Sequence, residues 1–185
     1  MNSQDVRALL DAIPTRTPTG ARNAALVLLI YRAGLRLQEA LELRPRDLDL
    51  DEGTARIHGR SATSTRTVGI DPRTVSALRS WIQMRDALDL DAGAPLLCTL
   101  QGERIKDAYV RALLARLAQR AGIGKRVHAS GLRAAHALEL DAEGFPIGML
   151  RDHLGMESVA ETQQYLDRHR PVDRVRAIQA RQWRT

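Results

Sequence analysis

A mainly α domain with a small antiparallel β-sheet, an α+β fold, is what this sequence predicts, and three observations carry that prediction. Apolar residues recur at helical spacing in several stretches that open on capping residues and close on glycine or a polar loop. Thr54 to His58 and Thr65 to Ile70 alternate, are rich in β-branched residues, and flank a turn from Gly59 to Ser64, so they read as a hairpin or as part of a three-stranded sheet. The 185 residues, 44% of them hydrophobic, suffice for one sizeable core, and residues 1–185 read as a single domain.

Along the chain, Ser3 to Ala12 forms a short helix with Val6, Leu9, Leu10 and Ile13 on one face behind a Ser3 cap. The loop Pro14 to Gly20 follows. From Ala21 a largely buried helix carries Ala24, Val27, Leu28, Ile30 and Tyr31 and stops at Gly34, the residue suited to a left-handed cap. A shorter helix spans Leu37 to Leu43. After the hairpin, Asp71-Pro72 starts a helix to about Leu88, with Val75, Leu78, Trp81, Ile82 and Arg85 on adjoining turns and Trp81 as core or domain-edge packing. Leu96-Leu97-Cys98 is a short apolar segment. The helix Asp107 to Ala121 buries Val110, Leu113, Leu114 and Leu117, and Ser130 fits as the N-cap of an apolar helix that follows it.

Composition bounds the partners. The longest apolar run, Ala24 to Tyr31, is too short to span a membrane, and no signal-peptide pattern opens the chain. A single cysteine, Cys98, excludes an internal disulfide and a cysteine-based metal site; a cytoplasmic setting follows, with no cofactor or metal called for. Twenty-eight basic residues against 22 acidic ones give a net charge of +6, and every basic residue except Lys106 and Lys125 is arginine. Arginine binds phosphate in forked geometry, so duplex DNA is the favoured partner, with a merely solvated basic surface as the alternative. An aromatic content of 3% argues against a single-strand binder built on base stacking.

Four short motifs carry the chemistry. Gly34-Leu35-Arg36 is followed by Glu39 three residues later. His128-Ala129-Ser130-Gly131-Leu132-Arg133 precedes a run that continues to His136. Leu154-Gly155-Met156 comes some twenty residues on, and Thr162-Gln163-Gln164-Tyr165 closes the series. This order resembles the catalytic domain of the tyrosine recombinase (phage integrase) family over nearly the whole chain. The resemblance leaves the family's separate N-terminal core-binding domain without a counterpart, as expected either of a minimal single-domain member or of an excised catalytic fragment. The resemblance implies that Tyr165 is the nucleophile that attacks a DNA phosphodiester to make a 3′-phosphotyrosyl link. It also implies that Arg36 and Arg133 are the two phosphate-binding arginines, and that Glu39 holds Arg36. Fixed guanidinium donors suit the charge that builds on the phosphate oxygens.

Three positions depart from the pattern that the resemblance implies. Arg60 stands in the hairpin turn in place of a lysine, Ser130 in place of a histidine, and Met156 in place of a histidine or tryptophan. Expelling the 5′ oxygen needs a proton donor, and arginine, serine and methionine are poor ones. The resemblance matches His128 to a common but non-catalytic upstream position; His128 and His136 could compensate for Ser130, with packing or solvent exposure as the ordinary reading, and His153 could stand in for Met156 only if its loop turned. Two functions follow: a weak DNA breaking and rejoining enzyme, or an impaired relative that binds DNA or a recombinase partner without chemistry. The basic amphipathic segment Val172 to Trp183 suits packing on a neighbouring copy, which makes a homo-oligomer on DNA the expected assembly.

Overall fold

A computed structural model describes residues 1, 3–59 and 65–170. Arg60 and the segment Val172 to Trp183 lie outside the described residues. Helix α1 spans Ser3–Asp11, α2 Pro18–Arg32 and α3 Leu37–Glu42; a single 3-10 turn, Pro45–Asp47, leads into strands β1 Leu48–Asp49, β2 Thr54–Ile57 and β3 Arg66–Gly69. Helices α4 Pro72–Ala87, α5 Asp107–Arg120, α6 Ala129–Ala142, α7 Ile147–Leu154 and α8 Val159–His169 complete the order. This is the mainly α architecture with a small antiparallel sheet that the sequence predicts.

Helix α2 is the centre of the domain, because every residue from Gly20 to Tyr31 is buried. It packs against α4 on one side and α6 on another. Leu26, Leu29 and Ile30 are fully buried, each such side chain contributing about 1.5–3 kcal/mol of hydrophobic stabilisation. The helix starts at Pro18, three residues before the predicted Ala21. Thr17 caps it by accepting from the Gly20 amide at 3.1 Å, and Pro18 takes the first position, where its missing N–H costs nothing. Trp81 is fully buried and donates from Nε1 to the Leu96 carbonyl at 2.7 Å, which pins α4 to the Leu96-Leu97-Cys98 segment.

The three strands run in the order β1-β2-β3, all antiparallel. Thr54 pairs with Gly69 and Ile57 with Arg66, so Arg66 opens β3 at the end of the ladder. Strand β3 lies against α7. A second, smaller core joins α6, α7 and α8 through Ala137, Leu150, Leu154 and Leu166, with Met156 and Tyr165 packed on it. The N-cap of α6 is His128, not the predicted Ser130; Ser130 sits exposed in the first turn of the helix.

Candidate active site

Helix α7 ends in a turn that arranges the site. Gly155 is left-handed, with φ 62°, and the amides of Gly155 and Met156 donate back to Asp152 (3.2 Å) and Arg151 (3.0 Å). Those bonds leave the carbonyls of His153, Leu154 and Gly155, and each accepts from a different arginine. Arg66 Nε donates to His153 O at 2.9 Å, Arg133 Nη2 to Leu154 O at 2.6 Å, and Arg36 Nη2 to Gly155 O at 2.9 Å. The C-terminal end of a helix carries partial negative charge, so three guanidinium groups gather there at reduced cost. Gly155 is also required by space, since a Cβ built on it would stand 2.6 Å from Arg66 Nη1.

Glu39 holds the same cluster from the other side. Its Oε1 accepts from Arg36 Nη1 and Arg66 Nη1, both at 2.9 Å, while Oε2 accepts from the Arg36 amide at 2.7 Å and Arg66 Nη2 at 2.9 Å. Arg133 Nη1 stands 3.9 Å from Oε2. Burial pushes the Glu39 carboxyl up, but the bonds from Arg66 and Arg36 outweigh it and hold the group below the usual carboxylate range. The structure thus joins Glu39 to Arg36 as expected and adds Arg66, whose side chain is 12% exposed.

Arg133 is 5% exposed, and its Nε and Nη1 have no hydrogen-bond partner among the described residues. Burial, and then the charge of Arg36, bring its pKa down to about 10, so it stays a cation at neutral pH. Tyr165, on α8, sits close enough that Arg133 and Arg36 pull the phenol's pKa down, although burial wins and leaves it raised. Helix α8 is fixed at its start by Ser158, which accepts from the Glu161 amide at 3.0 Å. The buried Thr162 donates to Ser158 O at 2.9 Å, one turn before Tyr165.

Arg36, Ser130, Arg133, Met156 and Tyr165 line one cleft of about 480 Å³. Glu39 stands behind that wall rather than on it. His128 also lines the cleft, as do Asp107, Arg111 and Glu161. His136 and His153 do not; their Nε2 atoms lie 2.9 Å apart beneath Gly34, whose left-handed backbone (φ 66°) has no room for a Cβ, 2.6 Å from His136 Cδ2. That pair ties the Gly34-Leu35-Arg36 turn to α6 and α7. Burial holds His136 neutral down to about pH 3, with His153 the next contributor, and His153 is lowered as well. Among the described residues, no helix is long and apolar enough to cross a membrane.

Residues 1–170 match the sequence profile described as the Phage integrase family. The chain is 35% identical over 164 residues to the tyrosine recombinase XerC of Xanthomonas campestris pv. campestris (strain B100), covering 87% of this chain and 49% of that protein. It is 29% identical over 181 residues to the XerC of Halalkalibacterium halodurans, covering 95% and 59%. The chain spans about half the length of the curated relatives it matches. Among solved structures it resembles XerA recombinase, with a TM-score of 0.82 at 25% identity over 99% of this chain and 64% of the other. XerH site-specific recombinase, bound to its palindromic difH substrate, shares the fold with a TM-score of 0.78 at 23% identity, over 97% and 52%. Fold, ordered motifs and sequence likeness agree, and the chain belongs to the phage integrase family of tyrosine recombinases.

Proposed function

We propose that residues 1–185 form the catalytic domain of a site-specific recombinase. It acts on duplex DNA in the cytoplasm, breaking and rejoining strands through a 3′-phosphotyrosyl link at Tyr165. The observation that carries this reading is the buried cation Arg133 lining one cleft together with Arg36 and Tyr165. A phosphodiester is the group such donors suit, because its non-bridging oxygens accept forked, charge-assisted bonds that strengthen as the phosphorane charge grows. Arg66 and Glu39 are positioning residues, since they touch Arg36 and the α7 carbonyls instead of the cleft. Copies assemble on DNA through the C-terminal segment. The test is a nicked suicide duplex carrying a 5′-bridging phosphorothiolate, whose sulfur leaves without a proton. A detergent-stable protein–DNA adduct that Tyr165→Phe abolishes supports the reading. Bound but uncut phosphorothiolate DNA removes it in favour of a non-catalytic DNA-binding relative.

A further inference from the structure

Cleavage of an ordinary phosphodiester needs a proton at the departing 5′ oxygen, and among the described residues few groups in the cleft can give one. Arg36, Arg111 and Arg133 are too basic, Ser130 is too weak an acid, and Met156 has no proton to give. Asp107 accepts from Gln38 Nε2 on both oxygens at 2.8 Å, and Glu161 accepts from the Glu157 amide at 2.8 Å. Outside the cleft, Lys125 is drawn to Asp5 at 2.5 Å, towards α1.

The five histidines sort cleanly. His58 Nε2 meets Asp47 at 3.0 Å, His136 meets His153 at 2.9 Å, and His169 Nδ1 meets the Tyr165 carbonyl at 2.8 Å. Only His128 has an imidazole without a hydrogen-bond partner among the described residues, and only His128 lines the cleft. Its backbone is fixed, because its carbonyl accepts from the amides of Gly131 (3.0 Å) and Leu132 (3.1 Å) as the N-cap of α6. The same helix carries Arg133, so the ring and the phosphate-binding guanidinium share one rigid support.

We infer that His128 is the general acid that protonates the leaving 5′ oxygen, an assignment that rests on the strand-cleavage reading above. As the Tyr165 Oη–P bond forms and the P–O5′ bond breaks, the imidazolium of His128 gives its proton to O5′ and becomes neutral; the phenolic proton passes to water. On rejoining, neutral His128 takes the proton of the attacking 5′-hydroxyl, and the Tyr165 oxygen leaves and is reprotonated from water. His128 thus supplies from two residues upstream what Ser130 cannot.

The test compares His128→Ala with the native chain on duplexes that differ only in the bridging atom. On ordinary DNA the substitution should slow adduct formation by about a hundred- to ten-thousandfold. The loss should vanish on the 5′-bridging phosphorothiolate, which also proves that the variant is folded, and free imidazole should restore part of the ordinary rate. Because a general acid must be protonated, the native rate on ordinary DNA should fall as pH rises, and this limb should be missing in the variant. Arg36, Asp107, Arg111, Arg133, Glu161 and Tyr165 all face the same cleft, so the limb is assigned only by its disappearance. Equal losses on both duplexes, or no loss on ordinary DNA, overturn the assignment while the Tyr165 reading stands. If the native chain forms no Tyr165 adduct even with phosphorothiolate, the strand-cleavage reading itself is wrong and His128 falls with it.

Discussion

Arg66 and Glu39 meet fork to fork, Nη1 on Oε1 and Nη2 on Oε2 at 2.9 Å each, across 27 residues of sequence. One carboxylate therefore joins the strand β3 to the start of α3 and, through Arg36, to the end of α7.

Glu39→Gln leaves Arg66 and Arg36 without a counter-charge and, the pair with Arg66 being part-buried, should cost no more than the roughly 3–5 kcal/mol of breaking a fully buried pair from one side. Since the folded-state ionisation of Glu39 lies below its unfolded one, its contribution is complete above about pH 4.3 and is lost as pH falls through the folded value. Urea unfolding from neutral to acid pH should show that acid loss in the native chain and not in the variant. An unchanged acid limb in Glu39→Gln refutes the assignment.

Arg36 and Arg66 separate stability from chemistry. Arg36 is 46% exposed, and its ion pair with Glu39 should contribute no more than about 1 kcal/mol. Arg36→Ala should thus melt near the native temperature yet form a Tyr165 adduct about a hundredfold more slowly or worse. Arg66→Ala, which empties a site packed between Glu39, His153 and Gly155, should lower the melting temperature clearly. The reverse ranking in a thermal melt contradicts these roles.

Much of this arrangement is legible in the sequence. Arg36, Arg133 and Tyr165 stand in motifs of fixed order, and helical periodicity placed Val6, Ile30, Leu78 and Leu114 in the core because their spacing depends only on local geometry. Arg66 was not legible. In a strand that alternates, an arginine reads as solvent-facing, and only the register of β2 with β3 and the contact of β3 with α7 bring it to Glu39. The His136–His153 pair was missed for the same reason: 17 residues separate two side chains that each looked like an ordinary helix residue. The cap of α6 went to His128 over Ser130, although Ser is the stronger capping residue, because the helix winds from Ala129 and puts Ser130 inside its first turn.

Gly155→Ala should destabilise by more than the roughly 1–2 kcal/mol of a left-handed alanine, because the new methyl also displaces the Arg66 guanidinium. Adduct formation should fall with it, as the α7 turn that holds Arg36 and Arg133 shifts. A melt within about 0.5 kcal/mol of native shows that Arg66 is not confined there.

Acid should also act through the two histidines. Burial first, and then the nearby charges of Arg32, Arg66 and Arg133, keep both imidazoles neutral in the folded chain against the opposing pull of Asp71 on His136, whereas the unfolded chain protonates them near pH 6.5. The His136 contribution is complete above about pH 6.5 and declines toward about pH 3, by at most about 1.4 kcal/mol per pH unit, and that of His153 falls in the same direction. The double variant His136→Phe, His153→Leu should flatten stability between those limits; a native-like slope in that window contradicts a buried neutral pair.

The central claim is that Tyr165 takes the phosphate that Arg36 and Arg133 bind. Its most direct measurement is peptide mapping of the product trapped on a 5′-bridging phosphorothiolate duplex. The account predicts one nucleotide-bearing peptide, with the added mass on Tyr165 and none on Tyr31 or Tyr109. A modified peptide that lacks Tyr165, or DNA bound with no modified peptide at all, contradicts it.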